Sequence, residues 1–191
     1  INSVVPEEAQ IKALGLTTVK AHVEKYNTKQ TGFNGVAYVT LYDKKENTQT
    51  LGQNKNEPME YEDYISIIFS GEVPVVNGEI EVTFMVPKDI NYKEGNGRLT
   101  YFIINEDNTE NGHGYCQDFI IGGTDPNADV SSDGPVSKAY INTPNFVNGQ
   151  VVDNTPIFYA HLWDEYGINT IGTGIGHDII VKLNNDPNQT Y

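Results

Sequence analysis

Cysteine is almost missing from this chain. Cys116 stands alone, so no internal disulfide can form and a disulfide-stapled scaffold is excluded. Arginine is as scarce: Arg98 is the only one, and there is no arginine cluster to grip phosphate. Twelve basic residues face 26 acids, a net charge of −14. That balance argues against nucleic acid or an anionic membrane surface as a partner. No apolar run approaches the roughly 18 residues of a transmembrane helix. The opening Ile1-Asn2-Ser3 has no initiator Met, basic n-region or apolar h-region, and it reads as a cut from a larger precursor. Helix signal is sparse. Pro6 to Ala13, with Glu7 and Glu8 suited to a first turn, is the one short helix-like stretch.

What is present is strand pattern. The 191 residues set a soft limit of one or two domains and suffice for a sizeable core. Tyr, Asn, Thr and Gly are plentiful, as suits an extracytoplasmic β protein. From Thr17, Val19, Ala21 and Val23 alternate with polar residues, a half-buried strand. Val36 to Tyr42 is apolar on both parities, as expected of a central strand. Asp43 to Tyr61 is polar and reads as a long exposed loop. Tyr64 to Phe69 is strand-like, with a bulge or bend expected at Ser70-Gly71. Val73 to Val76, Asn77-Gly78 and Glu79 to Val86 give the clearest hairpin signal, because Asn-Gly accepts the positive φ of a type I′ turn. Ile80, Val82, Phe84 and Val86 then share a face, and Pro87 ends the strand. Arg98 to Asn105 and Tyr115 to Ile121 are two more strands, joined by Glu106 to Gly114.

The expected fold is all-β: an Ig-like or fibronectin-like β-sandwich, followed by a second, truncated β-sandwich module. Residues 1–16 form a leader with a short helix and 17–122 the sandwich. Residues 123–135, almost without apolar side chains, form a linker, and 136–191 the partial second module. In that module strands are expected at Val136 to Ile141, Gln150 to Val152, Ile157 to Trp163 and Ile179 to Leu183.

Several residues invite a functional reading. Trp163 to Asp178 holds Gly167, Gly172, Gly174 and Gly176 among acids, a shaped loop. Asp164, Glu165, Asn169 and Asp178 could offer oxygens to a hard cation, but their spacing matches no EF-hand. His177 beside Asp178 is too little for zinc. The loop reads as a glycine-rich connection, with Asp164, Glu165, Asn169, His177 and Asp178 as its ligand- or partner-binding candidates. Asp125, Asp129 and Asp133, four apart, are weak calcium candidates in the linker. Cys116 lies three residues after His113, yet a lone Cys in a strand pattern usually acts as a small hydrophobe. His161 reads as a core histidine, His22 as solvent-facing, and Trp163 with its tyrosine neighbours as core or as a sugar-stacking platform. No catalytic residue, metal or cofactor is expected.

One set of motifs is more specific. D-E-Y-G-I-N at 164–169 precedes G-T-G-I-G-H-D-I at 172–179, and S-D-G-P at 132–135 comes before both, with Phe146, Asn148-Gly149 and Asn154-Thr155-Pro156 between. Earlier come F-N-G at 33–35, Leu41-Tyr42-Asp43-Lys44, I-F-S-G-E at 68–72, V-P-K-D-I at 86–90 and F-I-I-G-G-T-D at 119–125. From about Lys12 onward the chain resembles the β-sandwich region that follows the peptidase-like domain in PorU-like sortases of the type IX secretion system. These are relatives of the gingipain cysteine peptidases. The resemblance implies a non-catalytic accessory region of a cell-surface, outer-membrane-associated sortase that processes secreted cargo bearing C-terminal sorting signals. The catalytic Cys and His would lie in an upstream domain of the same chain. That domain, secreted cargo and other secretion-system subunits are the implied partners. The alternative is a free-standing surface adhesin or carbohydrate-binding β-sandwich module.

Overall fold

The computed structural model describes residues 2–4, 10–53, 55–128, 134–164, 168 and 179–182, and it is all-β, with no helix among the described residues. In chain order, β1 (Asn2–Val4), β2 (Gln10–Ala13), β3 (Leu16–His22), β4 (Glu24–Lys25), β5 (Thr28–Lys29) and β6 (Gly35–Tyr42) come first. Then follow β7 (Glu46–Gln49), β8 (Glu60–Asp63), β9 (Ile67–Val76), β10 (Glu79–Met85) and β11 (Gly95–Asn96). Last are β12 (Arg98–Asn105), β13 (Asn111–Cys116), β14 (Ile120–Thr124), β15 (Val136–Ile141) and β16 (Phe158–Trp163). The chain divides into two compact units, Ile1–Ala128 with Thr170–Tyr191, and Asp129–Asn169.

The first unit is built on a seven-stranded antiparallel sheet in the order β1-β3-β10-β9-β6-β12-β13. Asn77 (φ 52°) and Gly78 (φ 75°) make the two-residue turn between β9 and β10, the conformation that Asn-Gly favours. Beside that turn the strands pair through Val76↔Glu79 and Val75↔Ile80, and then they part. β10 continues along β3 from Glu79↔His22 to Met85↔Leu16, while β9 runs along β6. The parting makes two layers, β1-β3-β10 and β9-β6-β12-β13. Their inward side chains form one buried cluster: Val19, Ala21, Ile80 and Phe84 from the first, Val39, Leu41, Val75 and Tyr101 among those from the second. The Phe69 and Phe84 rings stack at 4.3 Å across it. Each fully buried aliphatic chain here contributes on the order of 2 kcal/mol. A second sheet, β11-β14-β2, pairs β14 in parallel with β2 through Ile121↔Ile11.

Several expectations are corrected. Residues 10–13 form strand β2 rather than the end of a helix, because Ile11 and Ala13 alternate into the core; residues 5–9 lie outside the described residues. The polar stretch 43–61 is not a long loop: Glu46–Gln49 and Glu60–Asp63 pair as a hairpin, β7 with β8. The sheet irregularity falls at Ile68, where Leu41 faces Phe69 but Tyr42 faces Ile67. Gly71 stays in register opposite Val39, and a Cβ there would lie 2.9 Å from the Phe69 ring, so the glycine makes room for that side chain. β13 begins at Asn111, inside the expected connection, and ends at Cys116. β6 is central, yet only Ala37, Val39 and Leu41 are buried; its other parity faces outward.

In the second unit β15 and β16 pair from Val136↔Trp163 to Ile141↔Phe158. Residues 150–152 are not a strand, and in the first unit Ile179, Ile180 and Val181 adopt no regular structure before a single bridge residue, Lys182. Val151 is 92% exposed, so nothing there supplies a buried face to hold a strand.

Candidate functional site

Cys116 and His113 are three positions apart on β13, so they point to opposite faces. Cys116 is buried in the core opposite Leu99, and His113 lies beside Phe102 on the outer face. The two are not in reacting geometry. Among the described residues no three His, Cys, Asp or Glu side chains gather as a metal-ligand set.

Asp164 follows β16, while Glu165, Asn169, His177 and Asp178 lie outside the described residues. So do Asp129 and Asp133. Asp125 caps the end of β14: its Oδ1 accepts from the Asn127 amide at 2.9 Å, and its own amide donates to the Ala13 carbonyl at 3.0 Å. A carboxylate used this way shapes a turn. His22 is half-buried rather than solvent-facing, with Nε2 2.8 Å from Glu24 Oε1. His161 is exposed opposite Lys138, not a core histidine: β15 and β16 form a two-stranded ribbon, and among the described residues that face is solvent-accessible. Trp163 is likewise exposed, and Tyr140 pairs with Tyr159 on the same face.

One buried charge pair went unnoticed in the sequence. Asp43 closes β6, and its Oδ1 lies 2.5 Å from Lys44 Nζ. The same ammonium donates to the Asn91 carbonyl at 2.8 Å, while the Asn91 amide donates to Asp43 Oδ2 at 3.1 Å. Both ions are thus satisfied, and they tie the 87–94 connection to the sheet.

The outer face of the four-stranded layer is the most distinctive surface. Register places Glu72, Tyr38, Phe102 and His113 in one row across β9, β6, β12 and β13. The next row is Ser70, Thr40, Thr100 and Tyr115. Tyr38 and Phe102 are 45% and 46% exposed with ring centroids 6.1 Å apart, and Tyr115 is 63% exposed. The Arg98 guanidinium lies 5.1 Å from the Tyr115 ring and 5.7 Å from the Tyr64 ring. Tyr64 in turn meets Tyr42 at 6.3 Å, and its hydroxyl accepts from Gln117 Nε2 at 2.8 Å. Arg98 Nε is buried without a hydrogen-bond partner among the described residues, so the rings, not an acceptor, hold this side chain. The signal was present in the sequence: Val36 to Tyr42 is apolar on both parities, and only one of them has a layer to pack against.

With this geometry in view, the chain is similar to the crystal structure of dimeric latent PorU from Porphyromonas gingivalis. The TM-score is 0.62 at 28% sequence identity, and the match covers 96% of this chain and 17% of that chain. Such coverage leaves too little unmatched to omit either compact unit. The chain therefore spans about a sixth of that protein's length. The likeness supports a PorU-like relation. No protein-family model matches the chain, and no curated protein does.

Proposed function

We propose that the chain is a non-catalytic β-sandwich accessory region of a PorU-like sortase. In this reading residues 17–122 and 136–191 are modules joined by the acidic connector 123–135. The parent protein works outside the cytoplasm, at the outer membrane, on secreted cargo with C-terminal sorting signals. The region positions an upstream peptidase-like domain of the same chain, or contacts cargo and partner subunits, with the 163–178 segment as a contact loop. The observation that carries the reading is the likeness to PorU over 96% of the chain at 28% identity. Cys116 and His113 lie on opposite faces of β13, so in this reading the nucleophile and base belong to the upstream domain and not to this pair.

The reading frame that encodes the chain tests this. A Cys–His peptidase-like domain is expected upstream of Ile1 in the same frame. Deleting the 191-residue region from the full protein then leaves cargo uncleaved while the peptidase-like domain still reacts with a thiol-directed probe. A frame that carries no such domain refutes the proposal.

A further inference from the structure

We propose that the outer face of the β9-β6-β12-β13 layer is a binding platform for an extended, uncharged polysaccharide, with Tyr38, Phe102 and Tyr115 as its stacking residues. The inference stands apart from the accessory-region reading and holds whichever protein carries the chain.

The outward face of a sheet is ordinarily polar when no second layer covers it. Here its middle is aromatic. Tyr38 faces Phe102 in register with their rings 6.1 Å apart. Tyr115, opposite Thr100, is the diagonal neighbour of Phe102 on the next strand. From Tyr115 the strip continues through the Arg98 guanidinium to Tyr64 and Tyr42. The Phe102 and Arg98 rows are four residues apart on β12, about 13 Å at the usual strand rise. The strip is therefore long and flat rather than a pocket for one small molecule.

Three hydroxyl side chains, Ser70, Thr40 and Thr100, fill the row between the Tyr38–Phe102 pair and Arg98, while Glu72 and His113 end the Tyr38–Phe102 row. Thr40 Oγ1 lies 3.4 Å from Ser70 Oγ, and Thr100 lies between Thr40 and Tyr115 in the same row. Hydroxyls both donate and accept, which matches the hydroxyl-lined edges of sugar rings, while aromatic faces take the apolar C–H faces.

Charge sets the class of glycan. The chain carries −14, yet the strip holds three formal charges: Glu72 in its first row, and Arg98 and Lys45 at its far end, the Lys45 ammonium 5.7 Å from the Tyr64 ring. Both cations lie against tyrosine rings, which partner them in place of an anion. A polyanion would meet Glu72 beside Tyr38 and the field of an acidic protein. An uncharged chain meets neither penalty.

The test is affinity electrophoresis of the 191-residue chain through native gels. The gels contain dextran, yeast mannan, xyloglucan or galactomannan, with alginate and polygalacturonate as the anionic arms. At least one neutral polysaccharide is expected to retard the chain, with an affinity indifferent to salt. Phe102→Ala and Tyr38→Ala each weaken binding roughly tenfold. Tyr26→Ala, a 94% exposed ring between β4 and β5 that is not part of the strip, leaves it unchanged. Tyr115→Ala, at the most exposed of the three rings, tests the same strip without disturbing the Tyr38–Phe102 pair, and a melting curve on each variant confirms the fold. Retardation only by the polyanions overturns the proposal. So does binding that survives all three ring deletions. Passage through every neutral gel unretarded also overturns it.

Discussion

Replacing Gly78 by alanine strikes the point where the two layers of the sandwich are joined. Gly78 sits at φ 75°, where an L-residue costs on the order of 1–2 kcal/mol. The new Cβ would also lie 2.2 Å from the Gln30 carbonyl oxygen and 2.9 Å from its carbon. Those are backbone atoms and cannot swing away, so the turn must shift, at a further cost of about 1–3 kcal/mol. The shift is resisted from both sides. The Gly78 amide donates to the Phe33 carbonyl at 2.7 Å, and its carbonyl accepts from the Val23 amide at 2.8 Å. Stiffening of the unfolded chain returns about 0.4–1 kcal/mol. The expected net loss is about 2–4 kcal/mol, or roughly 5–15 °C in melting temperature for a chain of this size. Gly32→Ala is the matched control. A Cβ at Gly32 meets nothing within 4 Å and the residue has no positive φ, so its stability should move by no more than about 0.5 kcal/mol. Urea unfolding and thermal melts followed by far-UV circular dichroism measure both. If Gly78→Ala melts with Gly32→Ala, the turn is not the pinned joint described above.

Asp43→Ala leaves the Lys44 ammonium, 13% exposed, without its carboxylate and should cost about 3–5 kcal/mol in urea unfolding; replacing Asp43 and Lys44 together by apolar residues costs less than the single change. Cys116 is buried, so alkylation by iodoacetamide should follow global unfolding, and rapid labelling of the native chain would contradict its place in the core. The hydrogen bond from Lys29 holds the Glu79 carboxyl below the ordinary carboxylate range, helped by the Lys29 and His22 charges and opposed by desolvation. A lowered carboxylate pKa stabilises the fold above the unfolded value and loses that contribution as pH falls through the folded one. An NMR titration of Lys29→Met should therefore show the Glu79 midpoint moving up.

The parts of the fold legible in the sequence were those in which side-chain pattern and backbone chemistry agree. Val19, Ala21 and Val23 alternate into the core, and Asn77-Gly78 turns as its φ preferences require. The β7–β8 hairpin escaped because every residue of Glu60–Asp63 is exposed; with no buried face there is no alternation to read. The parallel pairing of β14 with β2 is set by distant partners, which no local window contains. The same holds for the outer strip. Tyr38 and Phe102 are 64 residues apart in sequence, and only the β6–β12 register brings them together. His161 shows the opposite case: its strand pattern is real, but the ribbon it lies on leaves it exposed among the described residues.

The link from β14 back to β2 also governs timing. Gln10 Nε2 donates to the Gly122 carbonyl across 112 positions of chain. A ribosome adding about 5–20 residues per second would leave the β2 edge without this neighbour for roughly 5–20 s. For that interval β2 is an adhesive edge awaiting its mate.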